Sequence, residues 1–143
     1  TDSYQPIILK VEHHEPDDVN RYYRAADVCM VTSLHDGMNL VAKEFAAARD
    51  DERGVLVLSQ FTGAAQELHE ALIVNPYHIE QTAEALHRAL TMPDYEQQER
   101  MRSMRALVRD FNVYRWAGRM LLDAARIRQR EKLAGRIGIN HDA

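Results

Sequence analysis

The chain has 143 residues, with 45% hydrophobic and 28% charged side chains, so it is a single domain's length of globular sequence and not a disordered or staple-dependent one. Its formal net charge is -4, from 18 Lys+Arg against 22 Asp+Glu, which argues against a nucleic-acid partner because phosphate backbones reward a basic surface. The lone cysteine, Cys29, excludes an intrachain disulfide and suits a reducing cytoplasm, and no apolar run approaches the about 18 residues of a membrane helix.

The first half of the chain alternates in pattern. Ile7, Ile8, Leu9, Lys10 and Val11 predict a short strand. Asp17 and Asp18 then precede a helical stretch over residues 19–26, where acid at the N-terminal end suits the helix dipole. Residues 28–32 are a continuous apolar run, the pattern of a strand buried on both faces. A turn from Leu34 to Met38 follows, and Asn39 is a good N-cap for a helix over 40–48. Residues 55–59 predict a third strand, 63–69 a short helix, and 72–75 a fourth strand stopped by Pro76. Beyond that point no strand pattern recurs. Ile79, Ala83, Leu86 and Leu90 form one helical stripe; Met101, Met104, Leu107, Val108 and Phe111 form a second. Val113, Trp116, Ala117, Met120, Leu121, Ala124 and Ile127 form a third, with Asn112 breaking the chain before it. Residues 135–143 read as a polar, frayed end.

This order implies a Rossmann-like α/β fold: a parallel sheet with helices on both faces over residues 1–76, and a mostly helical part over 77–143 that ends in a helical tail. Four strands fall short of the five or six of a doubly wound domain. The chain also opens at Thr1 without Met, so the expectation is a segment of a longer protein.

In open parallel sheets, ligands sit at the carboxyl ends of the strands against helix N-termini. Residues 33–44 occupy that place. Gly37 permits a tight turn and close backbone approach. The amides of Met38, Asn39, Leu40 and Val41 open a helix and suit an anion such as a phosphate. Asp36 and Asn39 offer groups to a polyol, and Glu44, one turn beyond Leu40, is placed to accept two adjacent hydroxyls. Spacing alone leaves a second reading equally open, with Asn39 only a cap, Asp36 only a turn residue and Glu44 part of a solvated face.

Other features read as structure. His13, His14, Glu15, His35 and Asp36 lack the spacing of a zinc motif, so no metal is expected. Cys29 lies mid-strand and reads as core. Arg100, Arg102, Arg105 and Arg109 alternate with Glu96, Glu99 and Asp110, the pattern of an ion-paired helix face. Trp116 reads as the anchor of the last helix.

The run Asp36-Gly37-Met38-Asn39-Leu40-Val41-Ala42-Lys43-Glu44-Phe45 resembles the sugar-nucleotide signature of the trehalose-6-phosphate synthase family. Residues 23–28 before it match as well, as do residues 54–65 and 71–77 after it, and the phrase Tyr114-Arg115-Trp116-Ala117. The likeness runs over about residues 7–127. It implies a part of the C-terminal, nucleotide-sugar domain of a B-type, metal-independent, retaining glycosyltransferase that joins glucose from UDP-glucose to glucose 6-phosphate. It implies that Asp36 binds donor-glucose hydroxyls, and that the amides of Met38, Asn39 and Leu40 hold glucose and the distal phosphate. Leu40 and Val41 would face the diphosphate, Glu44 would take the ribose, and His13 or His14 would stand beside the uracil. It also implies that the basic pair neutralising the diphosphate, a key histidine and the acceptor-phosphate site come from sequence outside these residues. The chain by itself is then expected to be inactive and cytoplasmic, and to associate with copies of itself through the apolar side of its last helix. Two alternatives stand beside this one: a synthase with another acceptor, such as glycerol 3-phosphate, or another nucleotide; and a catalytically silent nucleotide-sugar module.

Overall fold

A computed structural model describes residues 5–137, with side chains as far as residue 133. Three strands, β1 (Val28–Val31), β2 (Val55–Ser59) and β3 (Leu72–Val74), pair in parallel in that order. Val28 lies opposite Val55, and Val57 opposite Leu72. Five α-helices accompany them: α1 (Pro16–Ala25), α2 (Leu40–Ala48), α3 (Ile79–Thr91), α4 (Asp94–Asp110) and α5 (Val113–Ile137), with a short 3-10 turn at Gly63–Gln66.

The central strand decides the layering. All five residues of β2 are buried, and the pleat sends them to opposite faces. Leu56 and Leu58 join Val31, Phe45, Leu68, Met101 and Met104 under α2 and α4. Val55 and Val57 join Leu72, Val74, Ala89 and Met92 under α3. Each fully buried Leu or Phe side chain contributes about 1.5–3 kcal/mol, so the two-sided burial of β2 makes it the spine of the fold. Helices on both faces of a parallel sheet are the Rossmann-like arrangement the alternation predicts.

Local signals set the element ends. Pro16 opens α1, with Asp17 and Asp18 in the first turn. Asn112 separates α4 from α5: its Oδ1 accepts from the amides of Tyr114 and Arg115, and its Nδ2 donates to the Arg109 carbonyl. The arginines of α4 are ion-paired or capping, as their alternation implies. Arg100 meets Glu96 at 2.9 Å, Arg102 meets Glu52 at 2.6 Å, and Arg109 meets Asp110 at 3.4 Å. Arg105 Nη1 donates to the carbonyls of Ala46 and Ala47 at the end of α2.

The structure corrects several expectations. Ile7, Ile8, Leu9 and Val11 form no strand; they are exposed and pair with none of the three strands. The sheet therefore has three strands and not four. β1 is an edge strand, so only Val31 is buried and Met30 is 43% exposed. The helix predicted over 63–69 is a 3-10 turn of four residues. The stripe of α3 is correctly periodic, yet its buried residue is Ala89, while Ile79, Ala83 and Leu86 line an open groove with Met30 and Leu34. Trp116 anchors nothing: it is 63% exposed, and the described side chains of α5 are exposed except for half-buried Ala117. Gly135 lies inside α5, whose helix runs on to Ile137, and residues 138–143 lie outside the described residues.

Among the described residues Arg49 is the buried charged side chain. Its side chain is 5% exposed, and it donates to the carbonyls of Tyr23, Arg24 and Ala26 at the end of α1. Its Nε and Nη2 donate to the two oxygens of Asp51 at 3.0 Å, and the guanidinium lies over the Phe45 ring. This fork holds α1 against α2. No apolar pattern in the sequence marks it.

Candidate functional site

The loop between β1 and α2 is tied to the loop after β2. The Asp36 amide donates to the Phe61 carbonyl at 3.2 Å, and the Gly63 amide donates to the Asp36 carbonyl at 2.9 Å. Asp36 and Thr62 thus form an isolated parallel bridge. Gly63 is required there, because a Cβ would collide with the Gly37 carbonyl oxygen. Gly37 itself faces open space, with no protein atom within 4 Å of where its Cβ would stand. The steric demand within the paired loops falls on Gly63, while the space beside Gly37 is open.

Asp36 closes the turn on itself. Its Oδ1 accepts from the amides of Met38 at 3.1 Å and Asn39 at 2.9 Å, and its Oδ2 accepts from Asn39 Nδ2 at 2.8 Å. The Asn39 side chain and the amide of Met38 hold the Asp36 carboxyl below its usual range. Asn39 adopts φ 60, and its Oδ1 accepts from the Ala42 amide at 2.9 Å, so it is the N-cap of α2. An asparagine tolerates this left-handed backbone better than most residues. Two of the amides expected to face a ligand, those of Met38 and Asn39, are therefore spent on Asp36. The amides of Leu40 and Val41 have no partner among the described residues. They open α2, where the dipole favours an anion.

Glu44 lies elsewhere. It lines a cleft of about 560 Å³ with His13, His14, Val19, Tyr23 and Ala47, and none of residues 36–41 lines it. The structure thus brings Glu44 together with His14 and His13, which lie 30 and 31 positions away in sequence. Tyr23 donates its hydroxyl to Glu44 Oε2 at 3.2 Å. Burial, then the Glu44 charge, pushes the Tyr23 hydroxyl up to about 12. His14 stands edge-on to Tyr22 at 5.6 Å, and His13 lies 3.6 Å from Glu15. The neighbouring Lys43 is paired with Glu67 at 2.9 Å. Burial raises the Cys29 thiol to about 11, which keeps it protonated and unreactive. Among the described residues no three His, Cys, Asp or Glu side chains gather as metal ligands, and no helix is long and apolar enough to cross a membrane.

The family model of glycosyltransferase family 20 matches residues 1–126. The chain belongs to that family. It is 45% identical over 138 residues to a trehalose-6-phosphate synthase of Klebsiella pneumoniae subsp. pneumoniae, covering 94% of this chain and 29% of the relative. It is 39% identical over 122 residues to a glucosylglycerol-phosphate synthase of a Picosynechococcus species, covering 85% of this chain and 24% of the relative. Among solved structures it is similar to an alpha,alpha-trehalose-phosphate synthase (UDP-forming) from Burkholderia xenovorans in complex with glucose-6-phosphate, with TM-score 0.81 and 50% identity over 84% of this chain and 27% of that one. The family-20 chain therefore spans less than a third of the length of these relatives.

Proposed function

We propose that this family-20 chain carries part of the donor wall of a retaining glucosyltransferase, in the nucleotide-sugar domain of a synthase that makes trehalose 6-phosphate from UDP-glucose and glucose 6-phosphate. Two observations support the reading: the amides of Leu40 and Val41 at the start of α2 have no partner among the described residues, and Glu44, one turn further along the same helix, lines a cleft with His13 and His14. The amides suit the diphosphate, the carboxylate suits the ribose diol, and an imidazole suits the face of the base. Asp36 keeps one acceptor position beyond the three hydrogen bonds it takes from its own loop, and that position suits a hydroxyl of the donor glucose. Gly37 leaves room for the sugar, and Met38 and Asn39 shape the loop under it.

In the proposed reaction the bond from the glucosyl carbon to the diphosphate breaks as the acceptor hydroxyl attacks from the same face. The acceptor proton passes to the leaving phosphate oxygen, and UDP departs with the bonding pair. No metal is assigned to this step; charge on the leaving group is met by the α2 dipole and by a basic pair supplied outside these 143 residues. The chain by itself binds donor weakly and transfers nothing, in the cytoplasm of its cell. A second reading, with glycerol 3-phosphate as acceptor, is favoured by the likeness to a glucosylglycerol-phosphate synthase. The test is transfer of labelled glucose from UDP-glucose to each acceptor by a protein that carries this chain at the full length of its relatives. Replacing Glu44 by Ala is expected to lower kcat/KM about tenfold or more, the scale of two hydrogen bonds to a charged group. An unchanged value refutes the assignment of Glu44, and turnover by the isolated chain refutes the division of labour.

A further inference from the structure

Among the described residues the Tyr23 hydroxyl is the one group that hydrogen-bonds to the cleft's carboxylate. It donates to Glu44 Oε2 at 3.2 Å across 21 positions of sequence, from α1 to α2. The Tyr23 ring is fixed from beneath: it stands edge-on to buried Phe45, with centroids 6.2 Å apart, and packs against the larger core cluster. Its backbone is fixed too, since the Tyr23 carbonyl accepts from Arg49 at 3.0 Å. Glu44, by contrast, is exposed on a helix surface and has no other hydrogen-bond partner among the described residues. A free glutamate on such a surface samples several rotamers and loses that freedom when it binds.

We propose that Tyr23 is a positioning residue of the nucleotide site, its hydroxyl holding Glu44 in the rotamer that presents its free lone pairs to the vicinal diol of a ribose. The inference rests on the assignment of Glu44 to the ribose. A carboxylate oxygen accepts two hydrogen bonds, so Oε2 can take Tyr23 and still leave a position beside Oε1 for two adjacent hydroxyls. The raised pKa keeps the hydroxyl a donor throughout the neutral range.

The test is calorimetric titration of the chain with UDP and with its analogue lacking both ribose hydroxyls, for wild type, Tyr23→Phe, Glu44→Ala and the double variant. Phe keeps the ring and its packing, and an unchanged unfolding midpoint checks that it does. Tyr23→Phe is expected to weaken UDP about threefold to tenfold, to leave the analogue unchanged, and to add nothing in the Glu44→Ala background. Equal losses for both nucleotides, or additive losses in the double variant, overturn the inference. So does a Glu44→Ala effect with no Tyr23→Phe effect, which leaves the Glu44 assignment standing. UDP binding that is absent, or indifferent to Glu44, overturns that assignment and the inference with it.

Discussion

Replacing Arg49 by Ala tests how the fold delivers the cleft. The guanidinium makes five hydrogen bonds, three to carbonyls that end α1 and two to Asp51. Removing one partner of a buried ion pair costs about 3–5 kcal/mol. Asp51 is 44% exposed, so its share is screened by water, and the lower end of that range is expected. A loss of about 3 kcal/mol is a large fraction of a total stability of about 5–15 kcal/mol. In urea unfolding with a slope of about 2 kcal/mol per M, it lowers the midpoint by about 1.5 M. Arg49→Lys is expected to recover little, because an ammonium cannot serve three carbonyls and a bidentate carboxylate together. UDP affinity is expected to fall as well, since α1 carries Tyr23 and borders the cleft. A midpoint within about 0.3 M of wild type, with an unchanged slope, refutes the claim that Arg49 clamps α1 to α2.

Three further outcomes follow from the same geometry. Gly63→Ala is expected to cost about 1–3 kcal/mol and to weaken UDP binding, because its Cβ pushes on the Gly37 carbonyl; a crystal structure with the loop at 36–38 undisturbed contradicts this. Asp36 has a folded pKa below its ordinary 3.8, so its stabilising effect is complete above that value and is lost as pH falls toward the folded pKa. Asp36→Asn is therefore expected to flatten the stability profile below about pH 4 and not above it, as read by thermal unfolding across pH. The exposed apolar side of α5, with Trp116, Met120, Leu121 and Ile127, is expected to drive concentration-dependent self-association. Light scattering of a monodisperse monomer at high concentration contradicts that expectation.

What the sequence shows of this molecule is what local chemistry dictates. The five-residue run of β2 needs burial on both faces whatever surrounds it, and Asn39 caps α2 through its own side chain. Residues 7–11 have strand propensity but pair with none of the three strands, and propensity alone does not make a ladder. The burial of β1 fails for a related reason, since an edge strand has lost half of its cover. At the site, residue types and spacing single out the run from Asp36 to Glu44. They do not reveal that Asp36 consumes the amides of Met38 and Asn39, nor that the glycine under steric demand is Gly63. Arg49 and the Tyr23 hydroxyl escape notice because their partners are backbone carbonyls and a carboxylate on another helix, contacts that exist only once α1 and α2 have packed.

The donor-site assignment is tested most directly by NMR titration of the labelled chain with UDP and UDP-glucose, beside its Glu44→Ala variant. The account predicts saturable shifts at the amides of Leu40 and Val41 and around Glu44, His13 and His14, with the cleft shifts lost in the variant. Shifts confined to another surface, or none at millimolar UDP, contradict it.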